Sequence, residues 1–201
     1  PPRSTLFPYT TLFRSYLSYL LEVFPGYKSV YVADTKNFPY GEKSKNEIIT
    51  AITLLIEKLL ESFEPKIIII ACNTISVTAL DILRSRFPIA FVGTVPAIKQ
   101  AVQLSKNKII GLLATENTVS SPYTDALFLE FAPDFRLIKR GDPKLVDFVE
   151  KHFQTANETA QREALSPAIE FFKNEKIDVL ILACTHFVHL LKAIQKLSPV
   201  H

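Results

Sequence analysis

The sequence predicts an α/β fold: two similar domains with mainly parallel sheets flanked by helices, and a ligand cleft between them. Two observations carry this expectation. One short pattern occurs twice, and each copy holds one of the two cysteines. Lys66–Ala71 is an isoleucine run ending in Cys72-Asn73-Thr74, and Asp178–Ala183 is an aliphatic run ending in Cys184-Thr185-His186. Short β-branched runs read as buried strands. The second observation is that such runs alternate with helical patterns along the chain, the signature of parallel sheets.

The elements follow in order. Tyr16–Phe24 reads as the end of a helix stopped at Pro25-Gly26. Ser29–Val32 is a short strand running into Ala33-Asp34-Thr35, and residues 37–41 form a loop. Ser44 and Glu47 make a capping box for a helix to about Ser62, whose apolar stripe is Ile48, Ile52, Leu55, Ile56 and Leu59. The first cysteine strand follows, then a helix to about Arg86 and a strand at Ile89–Val92. Residues 96–104 read as helix, 108–113 as strand, 119–131 as helix and 136–138 as strand. Residues 144–152 and 158–173 are helical, the second capped by Thr155 and Glu158. The second cysteine strand and a helix at about Phe187–Leu197 close the chain. The domain boundary is expected near Gly93–Pro96.

Residues 1–15 are set apart. Thr-Leu-Phe repeats there with no helical or strand period, and the stretch resembles a translated sequencing adapter. It is expected to pack poorly. The rival reading is a genuine apolar segment. The chain contains no Met, so its natural start is expected to lie outside it.

Composition narrows the function classes. Hydrophobic residues make up 48% of 201 residues, enough for a core and unlike a disordered chain. The net charge of +3 is mild, and no Lys/Arg cluster forms a nucleic-acid footprint. No aliphatic run reaches the roughly 18–20 residues that span a bilayer, and no signal peptide is recognisable. The expectation is a soluble cytoplasmic protein with no nucleic-acid or membrane partner. No Gly-x-Gly occurs among the five glycines, which argues against a nucleotide cofactor. With no Cys-x-x-Cys, a zinc site is the weaker reading of the cysteines, as is a redox pair.

A lone free cysteine is most often a small buried hydrophobe. Two of them at equivalent strand ends, where open sheets bind ligands, point instead to two acid/base groups facing one small substrate. A thiol at a helix amino terminus is pushed toward thiolate by the helix dipole and free N–H groups. Asn73, Thr74, Thr185 and His186 add donors for a carboxylate, and His186 could exchange a proton with Cys184. The bland reading of His186 is a solvated histidine at a helix start.

The residues Asp34-Thr35, Pro39-Tyr40-Gly41-Glu42-Lys43-Ser44, Ala71-Cys72-Asn73-Thr74, Val92-Gly93, Thr115 with Thr118 and Ser121, Leu145-Val146 through Glu150, and Ala183-Cys184-Thr185-His186 together resemble the bacterial glutamate racemases of the aspartate/glutamate racemase superfamily. The resemblance spans roughly residues 16–197. It implies cofactor-independent interconversion of L- and D-glutamate, supplying D-glutamate for peptidoglycan. Cys72 would act on the D-glutamate face and Cys184 on the L face, with His186 and Glu150 assisting. Tyr40, Gly41, Asn73, Thr74, Thr185 and His186 would contact the substrate. No cofactor or metal is implied, and a homodimer is one assembly it allows. Residues 16–94 would be an incomplete first domain, and 95–201 the second domain with the start of a return to the first. For Glu150 the alternative is an exposed acid at a helix end, and for Tyr40 a surface turn aromatic.

Departures from that pattern bear on activity. The family's opening strand, ending in Asp-Ser-Gly, has no match in residues 1–15, and the family continues beyond the second cysteine helix. Asp142 stands where many members carry a further cysteine. A truncated and inactive chain is therefore one expectation. A racemase of another amino acid such as aspartate, and a non-catalytic ligand-binding fragment, are the others.

Overall fold

The computed structural model describes residues 14–198 and residue 200, the side chains of residues 14 and 15 aside. The adapter-like stretch and its expected poor packing lie outside the described residues, except for the backbone at its end. The chain divides into two compact units, Pro1–Phe38 and Pro39–His201.

The first unit contains helix α1 (Arg14–Val23), which closes before Pro25-Gly26 as expected. Ser29–Val32 is not a strand: it joins no ladder, and Val30 and Val32 stay exposed. Extended β-branched residues become a strand only when a neighbour takes up their backbone hydrogen bonds. Further on, the Asp34 carboxylate accepts from the Asn37 N–H at 3.2 Å and from its side-chain amide at 2.8 Å.

The second unit carries two parallel sheets. A single 3-10 turn at Tyr40–Glu42 leads into α2 (Lys45–Phe63). The capping box forms as expected: the Ser44 hydroxyl accepts from the Glu47 N–H, and the Glu47 carboxylate accepts from the Ser44 N–H. Strand β1 (Ile67–Ile70) pairs in parallel with β2 (Ala90–Gly93), and α3 (Asn73–Arg86) makes the crossover between them. Ile48, Ile52 and Ile56 of α2 bury their stripe against Ile70, Leu80 and Leu83, with Leu55 and Leu59 at its margin.

Strand β1 is buried on one face only. Ile70 is buried, but Ile67 and Ile69 are exposed together with their register partners Ala90 and Val92. The four-isoleucine run hid this, because an unbroken apolar run has no period to report which face is covered. Helix α3 packs so closely on β2 that a β-carbon on Gly93 would meet Leu80 at 2.6 Å and Ser76 at 2.9 Å. The Ser76 hydroxyl also accepts from the Thr94 N–H at 3.1 Å, tying the sheet's carboxyl edge to the first turns of α3.

The second sheet has the order β4-β3-β5, all parallel. Its elements are α4 (Ile98–Leu104), β3 (Ile109–Ala114), α5 (Glu116–Val119), α6 (Pro122–Phe131), β4 (Arg136–Gly141), α7 (Pro143–Lys151), α8 (Glu158–Asn174) and β5 (Val179–Leu182). A 3-10 turn at Phe187–Leu190 and α9 (Leu191–Leu197) follow. Central strand β3 is the core, with Ile110, Leu112 and Ala114 fully buried.

Three expectations change in detail. The helix expected over 119–131 is broken, because Ser121 caps a new helix with Pro122 at its first position. Helix α8 is capped by Asn157, whose side chain accepts from the Ala160 N–H at 2.9 Å, while the Thr155 hydroxyl donates back to the His152 carbonyl. Asn157 stands next to the first helical residue, so it reaches that N–H first. The last helix opens as a 3-10 turn rather than as α-helix.

Leu112 is fully buried at the centre of β3 whereas Leu129 on α6 is 67% exposed. Leu112→Ala should therefore cost about 2–5 kcal/mol of unfolding free energy. Leu129→Ala should stay within about 0.5 kcal/mol. Urea titration of both variants against the parent checks the pair.

Candidate active site

In an open parallel sheet the ligand crevice lies beyond the carboxyl ends of strands whose connections diverge. In the order β4-β3-β5 that place is between β3 and β5. Thr115 follows β3 there, and Cys184 follows β5.

Cys72 leaves β1 in extended conformation and is the N-cap residue of α3. The N–H groups of Ile75 and Thr74 and the Thr74 hydroxyl point at its sulfur. These donors favour the thiolate, as the sequence suggested. Desolvation nevertheless outweighs them, and the Cys72 thiol is held above its ordinary pKa.

Cys184 is buried, 6% exposed. It does not start an α-helix; a turn and the 3-10 helix come next, so the full helix dipole expected there is missing. Burial pushes its thiol from the ordinary 9.0 up to about 12, against the opposing N–H groups of His186 and Phe187. The expectation of two thiols pushed toward thiolate is thus corrected in both places: desolvation is the larger effect.

The two thiols share one electrostatic site. Negative charge on Cys72 raises the Cys184 thiol, and so does the Glu150 carboxylate. Cys184 Sγ lies 3.2 Å from His186 Nδ1, and His186 Nε2 is paired with the Glu150 carboxylate. Both of those side chains are 9% exposed. Glu150 is therefore a largely shielded partner rather than a free acid at a helix end, and His186 is a buried residue rather than a solvated one. With the Glu150 carboxylate at Nε2, a proton on that nitrogen would leave Nδ1 a lone pair to face the thiol. Glu150 is held in place by α7, whose N-cap is Asp142; its carboxylate accepts from the Leu145 N–H at 3.0 Å and pairs with Arg140. The departure at Asp142 thus has a structural use.

A chain of hydroxyls joins the two strand-end turns. Thr74 and Thr115 share a hydrogen bond of 2.8 Å, and Thr115 and Thr118 one of 3.1 Å, all buried. Gly41 sits against this chain: a β-carbon there would meet Thr115 Cγ2 at 2.8 Å. Tyr40 is buried in the same apolar cluster that Cys72 packs against, not displayed on the surface. Asn73 is buried, and its side-chain oxygen has no hydrogen-bond partner among the described residues. Thr185 is buried beside Cys184 in the chain. Among the described residues, no three His, Cys, Asp or Glu side chains converge as a metal site. No described helix is long and apolar enough to cross a membrane.

Thr115 and Thr118 stand in the sequence pattern without a role, and Asn117 between them carries no sequence signal. Its amide donates to the Tyr40 and Lys43 carbonyls at 3.4 and 2.8 Å. A single polar residue in a short helix reads as solvent-facing unless its distant partners are known.

The profile of the Asp/Glu/Hydantoin racemase family matches residues 10–201. The chain belongs to that family. It is 44% identical over 161 residues to a glutamate racemase of Treponema pallidum, covering 80% of this chain and 60% of that one. It is 38% identical over 179 residues to a glutamate racemase of Glaesserella parasuis, covering 89% and 66%. The Escherichia coli glutamate racemase, solved with L-glutamate and the activator UDP-MurNAc-Ala, superposes with a TM-score of 0.80 at 32% identity over 94% of this chain and 70% of that one. The Francisella tularensis glutamate racemase, solved with D-glutamate, gives 0.75 at 27% identity with the same coverage. The chain thus spans 60% of the length of the Treponema relative. The α/β architecture of this racemase-family chain is the one seen in those structures.

The raised Cys184 thiol has a pH consequence. A group that holds its proton more tightly when folded stabilises the fold fully below its unfolded pKa, and that stability is lost as pH rises from 9.0 toward about 12. Unfolding free energy should therefore fall more steeply above pH 9 in the parent than in Cys184→Ser. Denaturant titrations from pH 8 to 11 on both proteins check the difference. Equal slopes would place the thiol at its ordinary value.

Proposed function

We propose that this chain carries the site of a cofactor-independent amino-acid racemase acting on glutamate. The reading rests on two thiols, Cys184 buried and Cys72 half-buried, one at a strand end of each sheet and close enough that charge on Cys72 raises Cys184. Racemisation needs a base on one face of the α-carbon and an acid on the other, and two residues from opposite walls can flank one carbon where a single residue cannot. In the L-to-D direction, the Cys184 thiolate takes the α-proton, the electron pair stays on the α-carbon, and the Cys72 thiol delivers its proton to the opposite face. The D-to-L direction reverses both roles. His186 Nδ1 is the acceptor that makes Cys184 a thiolate, and Glu150 stabilises the imidazolium that results.

The remaining groups match a small amino acid. The unpartnered Asn73 oxygen is suited to the α-ammonium, which can only donate. The N–H groups at the start of α3 and the hydroxyls of Thr74 and Thr185 suit carboxylates, and Tyr40 and Gly41 line the wall behind Thr115. The names of the relatives favour glutamate as the substrate. In this reading residues 16–94 and 95–201 are the two racemase domains, the protein is cytoplasmic, and its product D-glutamate enters peptidoglycan. A homodimer is compatible with it.

The test is proton exchange of L- and D-glutamate in D₂O, followed by NMR with the rotation of the solution recorded in parallel. Cys72→Ser and Cys184→Ser should each lower racemisation by roughly 10²–10⁴-fold, because a serine hydroxyl is not appreciably ionised at neutral pH. The residual exchange should be one-sided: the L proton in the Cys72 variant, the D proton in the Cys184 variant. Robust racemisation by either single variant would remove the two-thiol mechanism.

A further inference from the structure

The turn that carries Tyr40 and Gly41 lies outside both sheets, so no strand ladder holds it. Within the turn the Lys43 N–H donates to the Tyr40 carbonyl at 3.3 Å. A long-range hold comes from Asn117 of α5, whose side-chain amide donates to the carbonyls of Tyr40 at 3.4 Å and Lys43 at 2.8 Å. Both partners are carbonyl oxygens, which only accept, so the NH₂ end of the amide must face them. One side chain thus spans both ends of the turn from 77 and 74 residues away in the chain. The strap enters beside the hydroxyl chain. Thr115, two residues before Asn117, backs Gly41 and bonds Thr74 next to Cys72. On the other side, the Ser44–Glu47 capping box anchors the same turn to α2.

We propose that Asn117 is a positioning residue, holding the Tyr40–Lys43 turn against α5 so that Tyr40 and Gly41 form the substrate-facing wall beside the Thr74–Thr115 hydroxyl pair. This inference rests on the racemase reading of the site. Asn117 touches neither thiol; it acts through the turn it straps. It should therefore govern how well substrate is held rather than how fast the proton moves.

Asn117→Asp separates this role from a general effect on folding. Asp keeps the size of Asn and favours the start of a helix, so α5 itself is not penalised. It has no N–H to donate, and it sets an oxygen against two carbonyl oxygens. The protein is assayed with D- and L-glutamate, and backbone amide exchange is followed by mass spectrometry. In Asn117→Asp, amides of residues 40–44 should exchange roughly 5- to 10-fold faster while those of β3 are unchanged, and KM should rise roughly 3- to 10-fold with kcat within about twofold. The pH profile of kcat should not move. Asn117→Gln, which keeps the amide, should return KM toward the parent value, and Asn117→Gly should resemble Asp. Should the Asp variant fail to fold, the Gly and Gln variants decide by the same measurements. Unchanged exchange at residues 40–44, or unchanged KM, overturns the strap, as does a fall in kcat with KM unmoved. Absence of turnover in the parent overturns the racemase reading instead, and amide exchange alone then decides the strap.

Discussion

The arrangement depends on one buried contact, the hydrogen bond between the hydroxyls of Thr74 and Thr115. Thr74 stands in the first turn of the helix after β1, and Thr115 caps the short helix after β3. A parallel sheet delivers its loops to one edge, but nothing in a sheet alone makes the loops of one meet those of another. The hydroxyl pair does so at a point where both groups are buried away from water. Gly41 then follows, since any side chain there would push Thr115 off that bond. Because the same hydroxyl of Thr74 also faces the Cys72 sulfur, the contact that joins the two sheets also tunes the first thiol.

Burial sets the second constraint. A thiolate in a desolvated pocket is disfavoured, and here that effect exceeds the N–H groups aimed at both sulfurs. The protein meets the cost differently on the two sides. Around Cys72 the lowering groups are dipoles: two N–H groups and a hydroxyl. Beside Cys184 there is a proton acceptor, His186, backed by a carboxylate. Dipoles stabilise charge once it exists, whereas the imidazole can take the proton away. Repulsion adds a further limit, since charge on Cys72 raises the Cys184 thiol. Two thiols so coupled resist being ionised together, which suits the proposed reaction, with one as base and the other as acid.

Much of this was legible in the sequence, and the reasons are physical. The strand-Cys turns were readable because β-branched runs and the polar residues after them are local signals. Likewise, the Ser44–Glu47 capping box was readable because both of its bonds lie within four residues. The strand expected at Ser29–Val32 failed because strand formation depends on a partner that local sequence does not name. Thr155 lost the cap to Asn157 because a three-residue spacing fits several starting points, and only the helix's actual first turn chooses among them. Glu150 could not be told from a surface acid, since its burial depends on where β5 delivers His186. Asn117 was invisible for the same reason: its partners lie more than seventy residues away.

These differences in legibility follow the kind of work each residue does. Groups that touch the thiols by backbone adjacency, such as Thr74 and His186, sit within two residues of a cysteine and announce themselves. Those that act from another element, such as Glu150 and Asn117, leave no local trace. Yet they decide the character of the site, because adjacency only brings a donor near the sulfur. Without Glu150 at Nε2, His186 could present either nitrogen to Cys184, and a tautomer with its proton on Nδ1 would donate to the sulfur instead of accepting from it. In the proposed mechanism the direction of proton flow at Cys184 therefore rests on a carboxylate carried by α7, and through it on the Asp142 cap that starts that helix. A substitution at Asp142 that shifted α7 by a fraction of its pitch would act on Cys184 without approaching it, through the tautomer of the histidine between them.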